Sequence, residues 1–260
     1  MILRRLSQSL KQQNWTAIWI EFVLLVLGVF LGIQVSNWNA EREDRLKSAV
    51  FTERLKADLR AEGWRYRLLL AYYQDVHDAT EAAADALSGK APLSNEALLI
   101  NAYRATQYKQ GASTRATFDE LISTGNIGLI KDRKLLDFAV RAYALSTIDN
   151  TVKEGFESTY RKLFRMTVPN DVQRTLARQC GDRYIKPGDY RDFDHVIDYP
   201  CATALSQATI DAAADALRED PQTLRFLRLR VADLETRLAD LTSNNRDVLE
   251  GFVDIAKEEP

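Results

Sequence analysis

The chain is short of the residues from which most active sites are built. Two histidines and two cysteines occur in 260 residues, which leaves little material for histidine acid–base chemistry or for Cys/His metal clusters, and for one disulfide at most. There is no glycine-rich phosphate loop, no Gly-x-Ser-x-Gly elbow, no His-Glu-x-x-His and no Cys-x-x-Cys. The expectation is a non-enzymatic protein without metal or cofactor. Charge of one sign is lacking as well: 35 basic against 37 acidic residues give a net charge of −2, with no basic arm, so nucleic acid is not an expected partner. Eleven glycines and six prolines supply few of the residues that interrupt helices.

What the chain does have is one apolar run of membrane length, Trp15 to Trp38. As a helix it spans roughly 34 Å, enough for the roughly 30 Å hydrocarbon core of a bilayer with some tilt. Trp15 and Trp19 stand at one end and Trp38 at the other, where indole rings meet headgroups. A cleaved signal peptide is the competing reading. The run is too long for it, contains Glu21 and lacks a small-x-small cleavage site before Trp38. Residues 1–14 carry Arg4, Arg5 and Lys11 and no acid, which predicts a cytoplasmic basic tail, a single-pass anchor over residues 15–38 and an extracytoplasmic domain over residues 39–260. The expected address is a bacterial inner membrane, with the bulk of the chain periplasmic.

Within the run, Gly28 and Gly32 form a Gly-x-x-x-Gly pair, and Glu21, Leu25 and Ser36 fall on the same helical stripe. Glu21, Gly28, Gly32 and Ser36 are therefore a candidate packing face for a second membrane helix. The alternative is a lipid-facing helix in which the glycines are incidental. Glu21 lies about two turns from Trp15, close enough to the interface to reach headgroup water or Lys11. A snorkelling or partner-facing role is expected for it ahead of proton transport.

Residues 39–260 read as all-α, a helical bundle with one irregular segment. A three-four apolar rhythm from Leu46 to Leu87 has no turn signal separating it from the membrane helix, so one rod is expected, with Gly63 as its weak point. Ser94 opens a short helix, and Thr117-x-x-Glu120 reads as a capping box. One long helix is expected from Asp132 to just before Pro169. The last helix, opened by Asp220-Pro221, carries Leu224, Leu227, Val231, Leu234, Leu238, Leu241, Asn245, Val248, Phe252 and Ile255. These keep alternating steps of three and four, a heptad seam with Asn245 as its polar member and Arg230 and Glu235 beside it. The seam faces either another helix of the same chain or a second copy.

Residues 169–205 lack helical rhythm and hold both cysteines. Cys180 and Cys201 form a disulfide if the domain is exported and stay reduced if it is not; their spacing does not decide. The same stretch collects Asp182, Asp189, Asp192, Asp194, Asp198 and His195 with Tyr184, Tyr190, Phe193 and Tyr199. As a calcium loop from Asp192 it fails, because Ile197 stands at the turn glycine and Thr203 at the closing glutamate. His77, among tyrosines on a helix, reads as structural.

The run Leu27-Gly28-Val29-Phe30-Leu31-Gly32-Ile33-Gln34, with Glu21 and the ending Ser36-Asn37-Trp38-Asn39, resembles a family of uncharacterised single-pass bacterial membrane proteins. Thr117 to Asn126, followed by Leu129-Ile130, is similar to the same family. The resemblance covers under a quarter of the chain and implies an inner-membrane protein with no activity to carry over. Residues and resemblance together predict a membrane-anchored interaction or scaffold protein, whose partners are the lipid bilayer and a protein or second copy. The alternative is an extracytoplasmic ligand sensor that signals through a partner.

Overall fold

A computed structural model describes residues 15–186 and 196–257, with side chains from Trp19 onward. The protein is all-helical: no strand occurs among the described residues. In chain order the helices are α1 (Trp15–Leu87), α2 (Asn95–Arg104), α3 (Ala116–Ser123), α4 (Arg133–Ala144), α5 (Thr147–Glu157), α6 (Thr159–Thr167), α7 (Asn170–Cys180), α8 (Gln207–Glu219), α9 (Thr223–Leu241) and α10 (Arg246–Lys257), with a 3₁₀ turn at Asn126–Leu129. Local chemistry fixes several starts: Ser94, Asp132 and Ser206 each accept a hydrogen bond from a first-turn amide.

The chain forms two compact units, Met1–Glu53 with Gly128–Lys131, and Arg54–Ile127 with Asp132–Pro260. In the first, every residue from Trp19 to Lys47 is exposed, and the Ser48 hydroxyl donates to the Leu129 carbonyl at 2.6 Å. Within α1, from Trp19 onward, lies a stretch apolar and long enough to cross a membrane, none of it buried.

In the second unit, α1 supplies buried Leu55, Leu59, Tyr66, Leu69, Tyr72, Tyr73 and Val76. Helix α2 packs on α7 and α8, α9 on α5 and α6, and α10 on α4. Burying a side chain of this size contributes about 1.5–3 kcal/mol. One core cluster joins Leu98, Leu99, Tyr160, Phe164, Val172, Leu176, Leu217 and Leu227.

Several expected elements are corrected. The long helix after Asp132 is three helices, because Leu145 and Ser158 adopt extended backbone; each break re-aims the chain so that Phe138, Ile148 and Tyr160 all reach the interior. The irregular segment starts at Gly181 and not at Pro169, since α7 occupies Asn170–Cys180. The C-terminal seam does not lie on one helix. Helix α9 ends at Leu241, and Asn245 sits in the turn, where its side-chain amide donates to the Asp240 carbonyl at 2.7 Å while its own carbonyl accepts from Val248 and Leu249. Asn245 therefore shapes a turn and is no seam residue. Leu227, Leu234 and Leu241 are buried within the single chain.

Gly63 is no kink. The helix runs through it, and a Cβ there would lie 2.9 Å from Phe252; the glycine is a notch for that ring. The Thr117 capping box is replaced by a tertiary cap, in which Asp58 accepts from the Thr117 amide at 2.8 Å while Glu120 pairs with Arg54 at 2.6 Å. One turn along α1, buried Glu62 accepts from the Ser113 hydroxyl and the Thr114 amide.

Candidate functional site

Two places carry the candidate residues, and they differ in kind. On α1, Glu21, Gly28, Gly32 and Ser36 fall along one side of a helix with 3.6 residues per turn. All four are exposed, and a Cβ built on Gly28 or Gly32 meets nothing within 4 Å. This is bare helix with room beside it. Trp19 and Phe22 meet edge to face at 6.0 Å near its start.

The second place is the segment closed by cysteine. Cys180, the last residue of α7, is bonded to Cys201 with their Cα atoms 5.5 Å apart. The amide of Arg183 donates to the Val196 carbonyl at 2.9 Å, which brings the flanks of the segment together. Tyr199 is the pivot: its hydroxyl donates to the Gly181 carbonyl at 2.6 Å, and its ring lies 3.6 Å from the Arg183 guanidinium and 5.5 Å from that of Arg104. Arg104, the last residue of α2, donates to Asp198 at 3.3 Å and to the Tyr199 carbonyl. Burial pulls its pKa down while Asp198 pulls it back up. Asp182 accepts from the Tyr72 hydroxyl at 2.9 Å and from the Lys109 ammonium at 3.1 Å. Buried in an apolar surrounding beside that carboxylate, Tyr72 holds its proton well above the ordinary range.

Of the residues the sequence gathers here, Asp182, Asp198 and Tyr199 come together to fasten the segment. Tyr184 stands 86 % exposed. Asp189, Tyr190, Asp192, Phe193, Asp194 and His195 lie outside the described residues, as does the basic tail of residues 1–14. Ile197 is buried, and Thr203 donates through its hydroxyl and amide to Glu96. Among the described residues no group of three or more His, Cys, Asp or Glu side chains is placed to hold a metal. His77 is largely buried on α1, with Nδ1 3.1 Å from Asp78 and Nε2 3.9 Å from Glu235.

Between α2 and this segment lies a cleft of about 610 Å³, lined by Ala97, Asn101, Arg104, Arg183, Tyr199 and Pro200 among others. Its guanidiniums, aromatic ring and one carboxylate form a set suited to recognising charge and shape. Sequence reasoning passed over the arginines. Arg104 stands four residues after buried Ile100, and Arg230 three after Leu227 and four before Leu234. Both occupy the inward stripe, the one available signal that they are interior. Arg230, which the heptad pattern puts beside the seam, is instead 3 % exposed and donates to the carbonyls of Ala105 and Gln107. Compared with protein-family models, curated proteins and solved structures, the chain has no match in any of the three.

Proposed function

We propose that this chain is a membrane-anchored helical interaction protein, held by residues 15–38 and engaging a protein partner inside the bilayer along Glu21, Gly28, Gly32 and Ser36. The observation that carries the reading is the small-residue stripe on the exposed length of α1, where a Cβ added at Gly28 or Gly32 would meet nothing within 4 Å. Helices in lipid associate by close backbone approach at small residues, and a carboxylate within a membrane helix, such as Glu21, gains from a partner there. The orientation we propose puts residues 1–14 in the cytoplasm and the helical domain in the periplasm of a Gram-negative cell. The basic tail supports it, and so does the Cys180–Cys201 bond, which belongs to an oxidising compartment.

Photo-crosslinking from residues beside Gly28 and Gly32 in native membranes tests the proposal. A specific protein neighbour, self or foreign, is expected, and Gly28→Leu with Gly32→Leu is expected to remove it. Crosslinks only to lipid would overturn it. A ligand-sensing role for the periplasmic domain is the second reading, favoured by the arginine-lined clefts of the second unit.

A further inference from the structure

A smaller cleft of about 310 Å³ lies between α6 and the start of α7 and is lined by Arg161, Arg165, Arg174, Tyr103, Asn170 and Gln173 among others. No carboxylate lines it, although acidic residues outnumber basic ones in the chain. Arg161 and Arg165 are four apart on α6, a spacing at which like charges repel. Neither Arg165 nor Arg174 forms an ion pair among the described residues. The Arg161 guanidinium is half-buried, donates to the Thr106 carbonyl at 2.9 Å and lies over the Tyr108 ring at 4.9 Å. Burial first, and then the charge of Arg165, push its pKa down. Three positive groups are thus held close with no counter-charge on the walls.

Two further features point the same way. Helix α7 starts behind Pro169, which offers its first-turn amides no side-chain acceptor, and a helix N-terminus favours an anion. Asp171, in that first turn, lines the hollow on the other side of Pro169. The Gln173 amide donates to the carbonyls of Arg165 and Val168, at 3.1 and 2.6 Å. This cross-tie fixes α6 against α7, so the backbone positions that carry the arginines are set before any ligand arrives.

We propose that this cleft binds a small phosphate-bearing ligand, its phosphate clamped by Arg161, Arg165 and Arg174. Guanidiniums match phosphate oxygens in pairs, and the volume leaves space for a short organic moiety beyond the phosphate. The proposal deepens the sensor reading and does not depend on the membrane-helix contact. Crosslinks at Gly28 and Gly32 would persist when this site fails, and the site would persist when they are lost.

The test uses the full chain in phosphatidylcholine nanodiscs, with millimolar glycerol 3-phosphate as probe and thermal unfolding as readout. Glycerol 3-phosphate is expected to raise the midpoint where glycerol does not. Arg165→Gln with Arg174→Gln, both exposed positions, is expected to weaken binding about tenfold or more. Arg178→Gln, on the same helix outside the cleft, is expected to bind as the parent does. Moving to phosphatidylglycerol nanodiscs separates the sources: a shift that persists identifies a free ligand, and one lost in the parent through competition identifies a lipid headgroup, both consistent with a phosphate site. No shift for the parent in phosphatidylcholine, or an equal shift in parent and double variant, would overturn the proposal.

Discussion

Glu96 shows how one side chain ties a helix to the irregular segment. Its Oε1 accepts from the Thr203 hydroxyl at 2.6 Å and from the Thr203 amide at 2.8 Å, and these two bonds, the side-chain one first, hold its pKa below the ordinary 4.5. A depressed folded pKa stabilises the fold fully above the unfolded value, and that stabilisation disappears as pH falls through the folded one. Denaturant unfolding at stepped acid pH is therefore expected to show a smaller loss for Glu96→Gln than for the parent below pH about 4.5. An identical acid slope in both chains would refute the assignment. Residues of this sort were poorly legible beforehand. Glu96, Asp58 and Glu62 each accept a backbone amide from elsewhere in the chain. Nothing in a sequence distinguishes such a carboxylate from an exposed one, because the partner amide leaves no mark on composition or spacing.

At the scale of elements, helical content was readable and helix ends were not. The three-four rhythm marks inward faces, and it survives the breaks at Leu145 and Ser158 because the next helix resumes with a buried residue at a compatible step, Ile148 and then Tyr160. Helix α7 lacks a legible signal for the opposite reason: apart from Ala177, its stripe of Val172, Leu176 and Cys180 is all that is apolar on an otherwise polar helix. The contact between α1 and α10 illustrates what the glycines do. Phe252 packs its ring 5.5 Å from that of Tyr66 and 5.2 Å, edge to face, from that of Phe138, and Gly63 makes room for it. Gly63→Ala raises helix propensity by about 1 kcal/mol in α1, yet the added methyl presses on the ring, and overpacking of a well-filled core costs about 1–3 kcal/mol. We expect a net lower unfolding midpoint for Gly63→Ala, restored in part when Phe252→Leu is combined with it. A stabilised single variant would show that the notch is not tight.

At the scale of the whole molecule, the chain pairs a bare apolar helix with a unit whose interior is filled by tyrosine and leucine. The first feature was visible in the sequence as an apolar run of membrane length, broken chiefly by Glu21, Gln34 and Ser36. The arginine clefts were not, because Arg104 and Arg183 line one and Arg161 and Arg174 the other, each pair drawn from separate elements that meet only on folding. The Cys180–Cys201 bond reaches across a stretch that includes Arg183 and the solvent-exposed Tyr184. Trypsin cleavage after Arg183 is expected to leave one molecule on a non-reducing gel and two pieces once a reductant is added. Separation without reductant would show that the sulfurs are unjoined. A chain nicked there would stay joined through the bond, with helices α8 to α10 keeping their attachment to the half that carries α1. A protease acting on this segment would change the chain count while leaving the particle whole.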